Sequence, residues 1–247
     1  MKYRIQHFLH IVLGFENYLF LTSVIKILIF KSRSGEEYKA FLKFMSLIPP
    51  DSTVLDLGAN IGVMTALLSR DHPDWQIYSF EPMPRNHKTI QRIANLFKLK
   101  NTRIYQMALG NEDGQVEMLM PLQNSVKQSA WSHVAGHGDS ENEEIGERVK
   151  VPCRRLDSLD FLFNTDKLIK GIKIDVEDFE YFVFQGAHKL LSTYRPIVYA
   201  ELANEDNRSK CFEFFKTMNY KARVYENGEL VDYDNRVHHW NFFFMPA

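Results

Sequence analysis

The chain has 247 residues, of which 45% are hydrophobic and 25% are charged, and its net charge is −1. This length and composition are typical of one ordinary globular domain and leave little room for a second. A net charge so close to zero provides no overall field to attract nucleic acid, so we expect no nucleic-acid partner.

The N-terminal segment predicts helices with one apolar face rather than a membrane span. Between residues 5 and 30 the apolar run is interrupted by His7, His10, Glu16 and Lys26. A spanning helix needs about 20 predominantly apolar residues, and no uninterrupted stretch here approaches that length. A further helix is predicted at Glu36–Leu47, so residues 1–50 form an N-terminal helical extension. The favoured interpretation is that the helices pack on the domain; a peripheral membrane contact through residues 5–30 and, last, a true span stay open as alternatives. The expected location is the cytoplasm, with or without that membrane association.

Residues 51–247 predict a single α/β domain. Short β-rich runs alternate with helical segments, which favours a mostly parallel sheet covered by helices on both faces. The seven predicted strands are Thr53–Leu57, Trp75–Phe80, Arg103–Met107, Gly171–Val176, Ile197–Leu202, Lys221–Tyr225 and Trp240–Met245. The predicted helices of this domain are Gly62–Arg70, Pro84–Leu99, Leu156–Leu168, Phe179–Leu191 and Lys210–Met218.

The alternation is interrupted between about residues 111 and 155. Two β-rich pieces, Val116–Met120 and Val149–Arg154, flank a polar stretch. That stretch holds Gly136, Gly138 and the acidic run Asp139–Glu147. We interpret the segment as an inserted β-ribbon with a mobile loop that serves as a lid. His133 lies in this segment and is either a base delivered by the lid or a solvated loop histidine.

The strongest chemical signal is the turn Asp56-Leu57-Gly58-Ala59-Asn60-Ile61-Gly62, which directly follows the first strand and opens a helix. Glycine is needed where the backbone turns sharply and where a ligand approaches it closely. A dinucleotide fingerprint has a second glycine where Asn60 stands, so a pyrophosphate would clash there. The amino-acid end of S-adenosylmethionine suits the turn better, because its carboxylate can accept hydrogen bonds from loop N–H groups. The predicted cofactor-binding residues of this turn are Asp56, Gly58, Ala59, Asn60 and Gly62.

A second cofactor signal is Glu81-Pro82, at the end of the second strand. An acidic residue about 20 residues after the glycine turn can accept hydrogen bonds from both ribose hydroxyls. A glutamate at a strand end is also commonly just a solvated terminus. Its distance from the glycine turn favours the binding role, so both Glu81 and Pro82 are predicted to contact the cofactor.

The reacting edge is predicted at the segment Ile172-Lys173-Ile174-Asp175-Val176-Glu177-Asp178. Its strand places Asp175 at the carboxyl end, where open α/β sheets bind their ligands. Asp175 can face the transferring methyl, orient an acceptor hydroxyl or act as a base, and Glu201 after the next strand is a second candidate. For Glu177 and Asp178, capping of the following helix and a functional role remain equally open.

Six segments together resemble the FkbM family of methyltransferases, which acts in macrolide tailoring and in methylation of sugars in glycans and glycolipids. They are DLGANIG, FEPMP, ALGNEDG, VPCRRLDSL, KIDVEDFE and QGAHKLL, and the resemblance covers residues 53–202. It implies a Rossmann-like class I methyltransferase sheet with an antiparallel last strand, and methyl transfer to a hydroxyl oxygen. It also implies that Ala108 lines the adenine pocket. Asp178 departs from the family, which usually has glycine after the glutamate.

The expected function is S-adenosylmethionine-dependent O-methylation of a sugar, a glycolipid or a polyketide-like small molecule. The alternatives are an NAD-dependent oxidoreductase, a non-catalytic cofactor-binding module at a membrane surface and, within methyltransferases, an RNA ribose-methylating enzyme, which the near-neutral charge disfavours. No metal site is predicted, because Cys153 and Cys211 lie outside ligand spacing and His238-His239 have no carboxylate at metal spacing. The sequence does not indicate the oligomeric state.

Overall fold

The computed structural model describes residues 12–30, 35–123, 126–127, 132–135, 146–235 and 239–247. The helices are α1 Phe15–Ile29, α2 Glu36–Leu47, α3 Val63–Asp71, α4 Pro84–Phe97, α5 Asp160–Phe163, α6 Glu180–Gln185, α7 His188–Tyr194 and α8 Glu205–Thr217. The strands are β1 Thr53–Leu57, β2 Gln76–Phe80, β3 Thr102–Tyr105, β4 Ala108–Leu109, β5 Gly114–Gln123, β6 Val126–Lys127, β7 His133–Val134, β8 Gly146–Arg154, β9 Ile169–Ile174, β10 Ile197–Glu201, β11 Tyr220–Glu226, β12 Glu229–Asp232 and β13 Asn241–Pro246. Four predicted features lie outside the described residues: helical residues 5–11, the loop with Gly136 and Gly138, the acidic run up to residue 145, and His238.

The central sheet has the strand order β12-β11-β13-β10-β9-β1-β2-β3. The run from β10 to β3 is parallel throughout, and β13 pairs antiparallel with β10. The central strands of this run, β1, β2 and β9, are short and almost fully buried, as expected where helices cover both faces. The predicted α/β, Rossmann-like class I sheet with an antiparallel last strand is confirmed.

The sheet has eight strands rather than the predicted seven. The additional strand, β12, pairs antiparallel with β11 through a two-residue turn formed by Asn227 and Gly228. Both turn residues have positive φ, 50° and 96°, which is the conformation that a tight hairpin turn requires. Asn-Gly between two β-rich segments is the usual signal for such a hairpin, so the sequence contained this information.

Two predicted helices differ from the observed ones. The segment predicted as Leu156–Leu168 forms only a 3₁₀ turn at Leu156–Ser158 and the short α5, because β9 already begins at Ile169. The segment predicted as Phe179–Leu191 is divided into α6 and α7 at Gly186. A Cβ atom at Gly186 would lie 2.0 Å from the carbonyl oxygen of Gly110, so the chain breaks there to let two backbone segments touch.

The insert is a β-ribbon, as predicted. β5 and β8 pair antiparallel from Gly114–Cys153 to Pro121–Gly146. β6 and β7 also pair with β5, and β4 pairs parallel with β8. The ribbon begins shortly after β4 and is paired to it through β8. Its first residues therefore lie beside the carboxyl edge of the central sheet.

The two helices described in the N-terminal extension, α1 and α2, pack on the domain. Phe41 and Phe44 of α2 are fully buried, and the Phe44 ring stacks on Tyr199 of β10 with centroids 5.5 Å apart. On α1, the buried face consists of Leu19, Ser23 and Ile27, spaced four residues apart as one helix face requires.

The outward face of α1 exposes Leu21, Ile25, Leu28 and Ile29, which are 40–65% accessible. None of the helices in the described residues combines the length and apolar character that crossing a bilayer demands. The peripheral membrane contact expected for residues 5–30 stays a prediction, and this apolar face is where it would form.

Candidate active site

An open cleft of about 570 Å³ lies at the carboxyl ends of β1, β2 and β9. Six residues predicted to belong to the site line it: Gly58, Asn60, Glu81, Pro82, Ala108 and Asp175. Four apolar side chains complete much of its wall: Met107, Met118, Val134 and Phe179. The topology brings these segments together because parallel strands present their carboxyl ends at one edge of the sheet.

The glycine turn is held tightly between β2 and β9. The N–H groups of Gly58 and Ala59 both donate to the carbonyl of Phe80, at 3.1 and 3.0 Å. Gly58 has φ of 76°, and a Cβ atom there would lie 1.8 Å from the carbonyl oxygen of Asp175. Asn60 has φ of 51°, a conformation that asparagine adopts more easily than most residues. The turn therefore depends on Gly58 for both its conformation and its contact with β9.

Glu81 is buried beside this turn with its carboxylate fixed on both sides. One oxygen accepts from the backbone N–H of Asn60 at 2.8 Å, and the other accepts from the N–H of Met83 at 2.9 Å. The amide of Asn86 also donates to it at 3.3 Å. Burial raises the pKa of Glu81 to about 7, although these hydrogen bonds oppose the shift. A carboxylate so restrained is a well-defined hydrogen-bond acceptor at the cleft wall.

Two acceptor atoms in the cleft wall fit a ligand that carries hydroxyl or amino donors. The side-chain oxygens of Asn60 and Asn86 are buried and have no hydrogen-bond partner in the described part of the chain. Such atoms are costly unless a ligand or water satisfies them. Together with Glu81 they form a polar strip in a cleft whose wall is otherwise largely apolar. The polar strip suits the hydroxyls of a ribose, and the apolar wall suits its base. Asn86 lies inside α4, where no motif in the sequence marks it.

Lys173 is a buried cation beneath the glycine turn. Its ammonium donates to the carbonyl of Gly58 at 3.1 Å and lies 3.6 Å from carboxylate oxygens of both Asp56 and Asp175. Burial alone would lower its pKa, but Asp175, Asp56 and Glu201 raise it above the ordinary value. Lys173 is therefore charged and holds the turn to the end of β9. Sequence reasoning missed it, although its position two residues before Asp175 puts both on one face of the strand.

Glu177 lies in the cleft wall in a strained conformation. Its φ is 54° and that of Asp178 is 70°, so two successive residues with side chains adopt the left-handed region. Glycine has little penalty in this region, whereas a residue with a Cβ atom is strained there. Strain of this kind clusters at functional sites. Burial raises the pKa of Glu177 to about 9, with Asp175 and Glu201 adding to the effect.

We expect replacement of Glu177 by glutamine to change how stability depends on pH. The raised pKa means that the folded protein binds this proton more tightly than the unfolded chain does. The resulting stabilisation is fully present below about pH 4.5 and is lost as the pH rises to about 9. Urea unfolding at several pH values should therefore show a steeper loss for wild type than for Glu177→Gln. The exposed Glu229→Gln is the control, and equal slopes for wild type and Glu177→Gln would contradict the assignment.

The other predicted site residues lie outside this cleft wall, as far as the described residues show. Asp56 is fully buried and accepts from the Thr65 hydroxyl at 2.5 Å, so it supports the turn from below. Gly62, with φ of 81°, faces Ile90 of α4. Glu201 ends β10, and its charge acts on Lys173 and Glu177 from there.

His133 belongs to β7, and its two neighbours Ser132 and Val134 line the cleft. Because successive strand side chains point to opposite faces, His133 is directed away from that wall. Among the described residues, no group of three or more histidine, cysteine or acidic side chains could hold a metal ion.

A second cavity of about 650 Å³ lies on the other side of the glycine turn. Its wall combines Lys26 of α1, Phe30 directly after that helix, Tyr38 of α2, the turn residues Ala59 and Ile61, the first residues of α3, and Lys173. Gly58, Asn60 and Asp175 line both cavities. The two spaces are thus adjacent across the turn, and the N-terminal helices cover the second one.

Residues 56–236 match the sequence profile of the methyltransferase FkbM domain family. Methyltransferase 1 of Beauveria bassiana (strain ARSEF 2860) is 30% identical over 153 residues, which are 56% of this chain and 59% of that protein. The chain thus spans under two thirds of that relative.

Two solved structures share the fold. The methyltransferase FkbM from Methylobacillus flagellatus KT superposes with a TM-score of 0.53 at 14% identity, covering 90% of this chain and 59% of that one. A putative rRNA-methylase from Clostridium thermocellum superposes with a TM-score of 0.51 at 10% identity, covering 86% and 94%. At these identities the likeness concerns the fold alone.

Proposed function

We propose that this chain, which belongs to the methyltransferase FkbM domain family, transfers a methyl group from S-adenosylmethionine to a hydroxyl oxygen of a small molecule or glycan. The acceptor classes we favour are a sugar, a glycolipid and a polyketide-like alcohol. The observation that carries the proposal is the single cleft in which the glycine turn, the fixed carboxylate of Glu81 and the strand-end carboxylate of Asp175 meet.

The chain's own residues fit the nucleoside half of this cofactor. Glu81 and Asn86 offer acceptor oxygens for ribose hydroxyls, and Ala108, Met107 and Phe179 offer an apolar surface for a flat base. When bound, S-adenosylmethionine supplies a methyl group on a positively charged sulfur.

The charge of the cleft favours a cationic ligand. Asp175 lines it, and Glu201 lies close enough to influence Lys173 beside it, whereas Glu177, with its pKa raised to about 9, is neutral at pH 7. Carboxylates stabilise a sulfonium and an ammonium, whereas they repel the pyrophosphate of a dinucleotide. This arrangement supports the methyl donor over NAD, in agreement with the asparagine at position 60.

The reacting edge has a carboxylate suited to assist a hydroxyl. Asp175 is about one third exposed, and the Lys173 ammonium lies 3.6 Å from one of its oxygens. At this edge the Asp175 carboxylate can accept the proton of an acceptor hydroxyl. Holding the reactants in line supplies about 7–11 kcal/mol, and a positioned base adds about 10²–10⁴-fold. Glu201, one strand away, is the second candidate base.

Calorimetry with S-adenosylhomocysteine and with NAD tests the cofactor. We expect saturable binding of S-adenosylhomocysteine and none of NAD at the same concentrations; the reverse result would support an oxidoreductase. Labelled S-adenosylmethionine is then incubated with the full chain and a panel of methyl glycosides, glycolipids and polyketide alcohols. Label recovered as a methyl ether supports O-methylation, whereas cofactor binding without transfer to any member favours a non-catalytic module.

A further inference from the structure

We infer that Lys26 of α1, in the wall of the second cavity, is the counter-ion of the carboxylate of S-adenosylmethionine, whose amino-acid end is already expected at the glycine turn. The inference rests on the proposed function, because it assigns residues to the same cofactor. It makes the N-terminal extension part of the cofactor site rather than only a packing element.

The first argument is continuity. The acceptors that suit the ribose hydroxyls, Glu81 and Asn86, line the first cleft. A ligand that continues beyond its ribose must pass the glycine turn, and the space directly beyond that turn is the second cavity. Gly58, Asn60 and Asp175 belong to the walls of both spaces, so one elongated ligand can touch all three residues.

The second argument is charge. The second cavity has Lys26 in its wall, together with Val63 and Met64, the first two residues of the nine-residue helix α3. Within the described chain, no side chain caps that helix start, so its first N–H groups face the cavity region. A helix N-terminus and the Lys26 ammonium both favour a carboxylate, and Asp175, which lines both spaces, favours the cofactor's ammonium and sulfonium. The second cavity thus offers a partner for the carboxylate, and Asp175 offers one for the positive groups.

The third argument is the attachment of α1. The hydroxyl of Ser23 is fully buried and donates to the carbonyl of Ile61 in the glycine turn at 2.7 Å. Ile27 is buried against Ala66 of α3. Lys26 and Phe30 follow Ser23 by three and seven residues, so all three lie on one helix face. That face is directed at the glycine turn. The contacts of Ser23 and Ile27 therefore fix the position of the Lys26 backbone beside the turn.

The test measures dissociation constants for three probes by calorimetry. S-adenosylmethionine has the carboxylate, decarboxylated S-adenosylmethionine lacks it, and 5′-methylthioadenosine lacks the whole amino-acid part. For Lys26→Ala we expect about tenfold weaker binding of S-adenosylmethionine and little change for the other two, as for loss of one partly exposed charged hydrogen bond. Lys26→Glu should widen the difference between the first two probes. Lys39→Ala, a cation of α2 that pairs with Glu36 at 3.0 Å, is the matched control.

The possible outcomes are distinct. Equal weakening of all three probes would mean that Lys26 acts through folding, and no weakening would mean that it is remote from the cofactor; either overturns the inference. A raised KM for an acceptor with unchanged cofactor affinity would assign the cavity to the acceptor instead. Failure of wild type to bind any of the three probes would overturn the proposed function itself.

Discussion

Replacement of Gly58 by alanine is expected to abolish measurable binding of S-adenosylhomocysteine and to lower the melting temperature by roughly 5–20 °C. The added Cβ would lie 1.8 Å from the carbonyl oxygen of Asp175, so β1 and β9 must separate at their carboxyl ends. Overpacking of this kind costs about 1–3 kcal/mol and a left-handed φ about 1–2 kcal/mol more. For a domain of this size each kcal/mol corresponds to about 2–4 °C. Differential scanning calorimetry and titration with S-adenosylhomocysteine measure the two effects.

Gly228→Ala separates the clash from the conformational strain. Gly228 has a similarly left-handed φ of 96°, but nothing lies within 4 Å of where its Cβ would stand. It lies in the β11–β12 turn, so we expect a smaller loss of stability and unchanged cofactor binding. Wild-type affinity in Gly58→Ala would remove the glycine turn from the cofactor site.

The parallel strands of the sheet could be predicted because β-rich runs alternate with helical segments along the chain. Thr53–Leu57 was assigned with its observed bounds, since Pro50 and the glycine turn delimit it on both sides. The failures occur where tertiary contacts override local pattern. The continuous helix expected at Phe179–Leu191 is divided because Gly186 touches the Gly110 backbone, a contact between residues far apart in the chain.

In the candidate site, too, the local pattern predicts some residues correctly and tertiary contacts decide the position of others. Gly58, Asn60 and Glu81 follow strand ends, so their common edge follows from the topology of a parallel sheet. Asp56 belongs to the same motif, but its side chain turns inward to Thr65 and Lys173. Because successive strand side chains point to opposite faces, the strand position of Asp56 already separates its side chain from the ligand-facing residues.

Asn86 and Lys26 could not be found from the sequence. Each lies within a helix, and its position over the cleft depends on how that helix packs on the sheet. The sequence specifies which face of each helix is buried. It does not specify which cavity lies next to the polar residues at the border of that face.

Replacement of Asp175 by asparagine is expected to reduce methyl transfer by about 10²–10⁴-fold, the usual contribution of a positioned base. The amide keeps the shape of the carboxylate, and Lys173 retains Asp56 at 3.6 Å as a partner. The turn should therefore stay in place, so we expect the affinity for S-adenosylhomocysteine to change only a few-fold. Initial rates with an acceptor identified from the panel, together with calorimetric titration, measure both quantities.

Asp178→Asn is the matched control, because it makes the same change of charge three residues further along. Asparagine tolerates the left-handed φ of 70° at that position, so the backbone should be unaffected. An equal loss of turnover in both variants would indicate a general effect of negative charge on the cationic donor. A large loss of cofactor affinity in Asp175→Asn alone would assign Asp175 to the cofactor's ammonium, since it lines both cavities. Only lost turnover with retained affinity supports Asp175 as the base, because a base acts on the acceptor hydroxyl and leaves the binding of the donor largely unchanged.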